Sequence, residues 1–220
     1  MAGPDAMANP LLSDSPKAWD ELIESIGPAS LLVVIESRMS AQLRRRMTPD
    51  DVWQESLMHA WRDRAQFVWN GPKSFRSWLL TIIDHRIHEA VVRESAQKRG
   101  GPDGRCETPF SSLAANDYSQ PPCPLSSTTP SRVAIYKEQA QAMRSALEGL
   151  PDDLREVVRL RLFEQRTLQE VKSELNITLA AVRYRFARGI EAYRDALHAH
   201  FASRSQSATG TTIKTSDSST

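Results

Sequence analysis

An all-α chain, built as two small helical domains joined by a flexible linker, is predicted by three observations. Apolar residues recur at steps of three and four through residues 17–95 and again through 133–201, the spacing that gathers them on one helix face. Between these stretches, residues 96–132 hold Gly100-Gly101-Pro102, Pro121-Pro122, Pro124 and Ser126-Ser127-Thr128-Thr129-Pro130. Such a segment cannot bury enough apolar surface to pack, and it reads as a linker. Third, the chain carries no strand-like alternation of useful length, no internal repeat and no phosphate-binding glycine loop.

Composition narrows the class without choosing a function. The chain has 220 residues, 40% hydrophobic and 25% charged, which fits a soluble protein of one or two domains. A net charge of +1 conceals basic clusters at Arg44-Arg45-Arg46, Arg93 to Arg105 and Arg183 to Arg194, so local patches decide whether nucleic acid is a partner. The longest apolar run, Leu31 to Ile35, is far too short to span a bilayer. Residues 1–16 lack the basic-then-apolar order of a secretory signal and read as a flexible leader. The expected location is the cytoplasm, with no membrane partner. Cys106 and Cys123 lie in polar, proline-rich sequence, where two reduced thiols are expected over an oxidised pair.

Taken in order, Trp19, Leu22, Ile23 and Ile26 predict a first helix, broken at Gly27-Pro28. Leu31, Leu32, Val34, Ile35 and Met39 predict a second. Thr48-Pro49-Asp50-Asp51 is a helix start, with a capping residue, proline in the first turn and acids against the positive dipole end. The helix it opens carries Val52, Trp53, Leu57, Ala60 and Trp61, and both tryptophans are expected in the core. After the Asn70-Gly71-Pro72 loop, Ser74 is placed to cap a helix with Phe75, Leu79, Ile83, Ile87 and Val91 down one side. Trp78, Ile82 and His85 run down its flank. Helical pattern resumes near Val133, runs through Leu147, and restarts after Leu150-Pro151-Asp152-Asp153 with Leu154, Val157, Val158, Arg161 and Leu162. The tail, residues 202–220, is rich in serine and threonine and is expected to be disordered.

The most informative stretch is Thr167 to Arg194. Leu168, Val171 and Leu175 mark one amphipathic helix; Leu179, Val182, Phe186, Ile190 and Tyr193 mark a second. Asn176-Ile177-Thr178 forms the turn, Asn suiting a left-handed conformation and Thr a cap. Thr167 and Glu170 have capping-box spacing. Two short helices joined so tightly make a helix-turn-helix, whose second helix enters the DNA major groove. With the apolar stripe inward, Arg183, Tyr184, Arg185 and Arg188 fall on its outward faces or flanks, where guanidinium groups neutralise phosphates or take guanine edges.

Three stretches, in this order, resemble the sigma-70 superfamily, and within it the small two-domain extracytoplasmic-function (ECF) sigma factors. Asp51-Val52-Trp53-Gln54-Glu55 is similar to the family's D-x-x-Q-E signature. Phe75-Arg76-Ser77-Trp78-Leu79-Leu80-Thr81-Ile82 is similar to its F-x-x-W-L-x-x-I run. Leu147 to Leu197 resembles its domain four. The resemblance implies an all-α fold with a sigma region 2 bundle and a sigma region 4 helix-turn-helix. It also implies a non-enzymatic function: an alternative sigma factor that binds core RNA polymerase and directs promoter recognition, with no cofactor.

On that resemblance Asp50, Asp51, Gln54 and Glu55 form the polymerase-binding edge. Arg76, His85, Arg86, His88 and Arg93 are the groups available to the melted −10 element. Thr178, Ala180, Arg183, Tyr184, Arg185 and Arg188 are those available to the duplex −35 element. Members of the family are often held inactive by an anti-sigma protein, an expected class of partner that no residue of this chain singles out. The chain departs from the family in carrying Asp84-His85 where an Arg-Asn pair is usual, in Asn176 for a turn glycine, and in Lys172 for a small residue.

Three other readings compete, one of them a helical adaptor that binds protein only, in which the recognition-helix arginines would be a solvated face. A helix-turn-helix regulator could bind duplex operator without polymerase, but it would not need the first two signatures. A metal protein or enzyme could use His85-x-x-His88 with the two cysteines. No Cys-x-x-Cys or His-Glu-x-x-His spacing supports that, and the acids and histidines scatter rather than converge, so no metal and no catalytic residue is expected.

Overall fold

The computed structural model describes residues 10–13, 15–98 and 130–209. The expectations for residues 1–9, for 99–129 with Cys106 and Cys123, and for 210–220 fall outside that set. The described residues form eight α-helices and no strand, in agreement with the predicted all-α class. The chain divides into two units, Met1–Ala134 and Ile135–Thr220.

In the first unit, a short 3-10 turn at Pro10–Leu12 precedes α1 (Pro16–Ser25) and α2 (Pro28–Arg38). Leu11 is fully buried, so that part of the expected loose leader is packed. Every residue from Leu31 to Ile35 is buried; a helix apolar on all sides belongs at the centre of its bundle. α3 (Pro49–Asp63) opens on the predicted signals, and Thr48 and Asp51 close a capping box. α4 (Pro72–Lys98) starts two residues before the predicted cap at Ser74. Gly71, at φ 91°, directs the chain into it, and the Phe75 amide donates to the Gly71 carbonyl at 3.1 Å. Ser74 therefore lies inside the first turn.

Aromatic rings fill the gap between these helices. Trp61 meets Trp19 edge-on at 5.2 Å, and Trp19 meets Phe75 at 6.0 Å. Phe67 stacks on Trp78 at 4.7 Å, and Trp69, in the loop before α4, lies against Phe75, which gives both tryptophans packing roles. Trp53 and Trp61 are buried, as their places on the apolar stripe predict. The α4 stripe ends at Ile87, because Val91 is 40% exposed.

α5 (Pro130–Glu148) and α6 (Asp152–Val158) bracket the turn at Gly149–Pro151. Arg155 closes the end of α5. Its Nε donates to the Leu147 carbonyl at 3.0 Å, and one Nη donates to the Glu148 and Leu150 carbonyls at 3.0 and 2.8 Å. These bonds tie the last carbonyls of α5 and the turn that follows it to α6. α6 then widens into a π-turn, Arg159–Phe163, where the Glu164 amide reaches the Arg159 carbonyl. The wider turn changes which residues face inward. Leu160 and Phe163 are buried, while Leu162 is 39% exposed and Arg161 half-buried, contrary to the α-periodic expectation.

α7 (Leu168–Leu175) and α8 (Leu179–Thr209) form the helix-turn-helix. Its core joins Val157, Leu160, Val171 and Val182, with Leu168, Leu175, Ile177 and Phe186 against it. α8 runs on to Thr209, so residues 202–209 of the expected disordered tail are helical. The linker likewise gives up both ends: 96–98 belong to α4, and 130–132 to α5.

Candidate nucleic-acid interface

The turn between α7 and α8 is built by three local devices. The Thr167 amide donates to Glu170 Oε2 at 2.6 Å, and the Glu170 amide donates to Thr167 Oγ1 at 3.2 Å, closing the predicted capping box. Bonding from the Thr167 backbone and side chain, partly opposed by desolvation, holds the Glu170 carboxyl below its ordinary pKa. Asn176 takes φ 50° and ψ 44°, the left-handed cap expected of it. Thr178 Oγ1 accepts from the Ala181 amide at 3.1 Å. Lys172 is exposed, so the α7–α8 contact does not have to hold its ammonium.

These devices fix which side chains α8 presents. Thr178, Ala180, Arg183, Tyr184 and Arg188 are exposed. Arg185 differs: it is half-buried, and its Nε lies 3.5 Å from Asp153 Oδ2, which ties it to the flank of α6. Arg188 Nη1 donates to the Tyr184 hydroxyl at 3.1 Å.

Along α4 the predicted cationic set divides. His85, His88 and Arg93 are exposed. Arg76 is not: it is 3% exposed and donates through Nη1 to the Ile26 carbonyl at the end of α1. A guanidinium committed there cannot reach a nucleic-acid strand, so Arg76 leaves the candidate set. Arg86 is also turned inward, with its side chain 11% exposed, its Nη2 on Glu89 Oε1 at 2.6 Å and its Nη1 2.9 Å from His59 Nε2. Asp84, which stands with His85 in place of the family's Arg-Asn pair, pairs with Arg38 at 2.5 Å, which offsets its charge beside His85.

His59 is a residue that sequence reasoning did not single out. Its Nδ1 lies 2.7 Å from Arg62 and its Nε2 2.9 Å from Arg86. A neutral imidazole has one acceptor nitrogen and guanidinium only donates, so one of these contacts at a time can be a hydrogen bond. Burial first, then Arg86 and Arg62, push the His59 pKa down to about 4, against weaker opposition from Asp63 and Glu89. A lowered folded-state pKa means that the unfolded chain takes the proton first as pH falls. This contribution is complete above about pH 6.5, declines as pH falls toward 4, and is absent in His59→Gln. Urea unfolding at pH 7 and pH 5 should therefore show a larger loss of stability for the wild type than for His59→Gln. Equal losses would refute the assignment.

On α3, Gln54 and Glu55 are exposed and Asp50 is half-buried. Asp51 is exposed but occupied, its Oδ2 accepting from the Thr48 amide at 2.7 Å and from the Thr48 hydroxyl at 2.8 Å. Met58, one turn after Gln54, is 53% exposed and adds an apolar group that the acidic signature does not announce. Among the described residues, no group of three His, Cys, Asp or Glu side chains is placed to hold a metal ion. Among the same residues, no helix is long and apolar enough to cross a membrane.

Comparison with known proteins agrees with both units. The model of Sigma-70 region 2 matches residues 31–97, and that of Sigma-70, region 4 matches residues 146–195. The ECF RNA polymerase sigma-E factor of Salmonella typhimurium is 27% identical over 167 residues, covering 74% of this chain and 83% of the relative. Its namesake in Escherichia coli strain K12 is 26% identical over the same shares. A probable RNA polymerase sigma factor, RfaY, of Xanthomonas campestris is 29% identical over 69% of this chain and 34% of the relative. The solved structure of CnrH in complex with the cytosolic domain of CnrY covers 86% of this chain at 18% identity and a TM-score of 0.32, a likeness too slight to add to the fold. With matches to both region models, in order and on the two units that hold the capped helix-turn-helix and the α3–α4 bundle, the chain belongs to the sigma-70 family and is an alternative sigma factor that directs transcription initiation by RNA polymerase.

Proposed function

We propose a division of labour between the two units. The α3 edge, with Asp50, Gln54, Glu55 and the exposed Met58, docks on core RNA polymerase, while Asp51 serves chiefly to cap that helix. His85, His88 and Arg93 on α4 face the melted −10 element, a strand that basic and polar side chains on a helical surface can track. The N-terminal half of α8, with Thr178, Ala180, Arg183, Tyr184 and Arg188, enters the major groove of the −35 element, and Arg185 lies at its flank near phosphate. The work is done in the cytoplasm, with the polymerase. An anti-sigma protein that silenced the chain would have to cover the α3 edge or the exposed face of α8.

The observation that carries this reading is the capped α7–α8 turn, which leaves Arg183, Tyr184 and Arg188 exposed on one helix in a chain that also presents a polar α3 edge. Run-off transcription with purified core polymerase and a pool of promoter fragments tests it. The full chain is expected to yield discrete transcripts. Gln54→Ala with Glu55→Lys should weaken transcription at all promoters alike. Arg183→Ala with Arg188→Ala should lower it about 10- to 100-fold, and most where the −35 sequence matters. Specific duplex binding without polymerase, and no transcript, would instead favour the operator-binding regulator.

A further inference from the structure

Resting on the placement of α8 at the −35 element, the geometry points to a positioning role for Tyr184: it draws Arg188 toward the groove-entering end of the helix and fixes it as a reader of guanine. Arg188 is the tenth residue of α8, late for a helix that meets bases through its N-terminal turns. A long helical side chain leans back over the preceding turn, and Tyr184 is one turn back. The 3.1 Å bond from Arg188 Nη1 to the Tyr184 hydroxyl holds it there. The guanidinium carbon is 5.9 Å from the ring centroid, so the ring also offers a weak face to the cation. Hydrogen bonding to Tyr184 is the leading cause of a raised Arg188 pKa, consistent with a contact that favours the charged form.

Little else accounts for Tyr184. The residue is 61% exposed, and its neighbours one turn away on either side, Ala180 and Ala187, are small and exposed. The donor count then predicts the base. Arg188 commits one Nη1 hydrogen to tyrosine and keeps the Nε–Nη2 edge, two parallel donors. The tyrosine hydroxyl, having accepted, still has its own hydrogen to give. The Nε–Nη2 edge offers only donors, so it fits the N7 and O6 acceptors of guanine and meets a competing donor at N6 of adenine. Arg185, tied to Asp153, is not available for the same task.

The test uses core polymerase reconstituted with the full chain, transcribing from a promoter library randomised across the −35 element and read by sequencing the transcripts. The wild type is expected to favour guanine at one position by roughly 5- to 150-fold. Arg188→Ala should erase that preference, and Tyr184→Phe, which keeps the ring and removes the hydroxyl, should lower it several-fold at that same position. If Arg188→Ala erases the preference and Tyr184→Phe leaves it intact, the positioning role is overturned. If both variants weaken every −35 sequence equally, Arg188 is a phosphate contact and the inference fails while the placement of α8 stands. If the −35 sequence does not influence the wild-type enzyme at all, the placement of α8 fails first.

Discussion

Gly189→Ala is expected to destabilise the second unit, although alanine is the better helix former by about 1 kcal/mol. A Cβ built at Gly189 would lie 2.6 Å from Val158 Cγ2, with the Leu154 carbonyl at 3.4 Å. Val158 is fully buried and β-branched, so its methyl has no free rotamer to retreat into. Overpacking of this kind costs about 1–3 kcal/mol, and after the gain in helix propensity a net loss of up to about 2 kcal/mol remains. Amide hydrogen exchange on the full chain, followed at Val157, Leu160 and Val182, reads this loss directly. The explanation also predicts coupling. In a Val158→Ala background the clash is gone, and Gly189→Ala should become neutral or stabilising by up to about 1 kcal/mol. A Gly189→Ala variant about 1 kcal/mol more stable than the wild type, the full gain in helix propensity, would show that α6 and α8 do not approach so closely.

That glycine marks a limit of sequence reading. On its own helix Gly189 looks like a modest defect; its purpose lies in Val158, thirty-one residues earlier in the chain. Features whose cause is local were legible. The Thr167–Glu170 box, the left-handed Asn176 and the Thr178 cap each depend on neighbours within three residues, and each is present as the spacing implies. The tryptophans of α3 were legible because helical period alone places them on the buried side.

Other features had causes that no window of sequence contains. The π-turn at Arg159–Phe163 keeps an ordinary composition while moving the inward positions to Leu160 and Phe163, so the α-periodic assignment of Arg161 and Leu162 failed. The extension of α8 through Thr209 runs against residues that favour turns, and nothing in the composition announces it. Within the candidate site, the exposed arginines of α8 could be read from the apolar stripe opposite them. Arg86 on α4 and Arg185 on α8 could not be separated from the exposed cations of their helices, because the groups that turn them aside, His59 with Glu89 and Asp153, sit on other turns or other helices. The neutralising partner of Asp84 was hidden for the same reason, Arg38 being on α2.

Arg76 is the case in which this distinction has the largest consequence. It follows Phe75 directly and reads as a cation beside the apolar stripe of α4, available to a DNA strand. In the fold its guanidinium closes the end of α1, where Gly27-Pro28 breaks the chain and leaves the Ile26 carbonyl in need of a donor. Burial lowers its pKa to about 10, which still leaves it charged at neutral pH. Arg76→Ala should therefore cost the first unit about 2–4 kcal/mol, from the cavity left by the stem and a buried carbonyl stripped of its partner. Arg76→Met keeps most of the stem and removes the donors, so it should retain the packing share and lose about 1–3 kcal/mol. In neither variant should the −10 base preference of the folded fraction change, whereas His85→Ala, at an exposed position on the same helix, should alter that preference with little effect on stability. Denaturant unfolding paired with transcription from a −10 library separates the two. An Arg76→Ala protein of unchanged stability and altered −10 preference would return Arg76 to the nucleic-acid face and refute its role as the buried cap of α1.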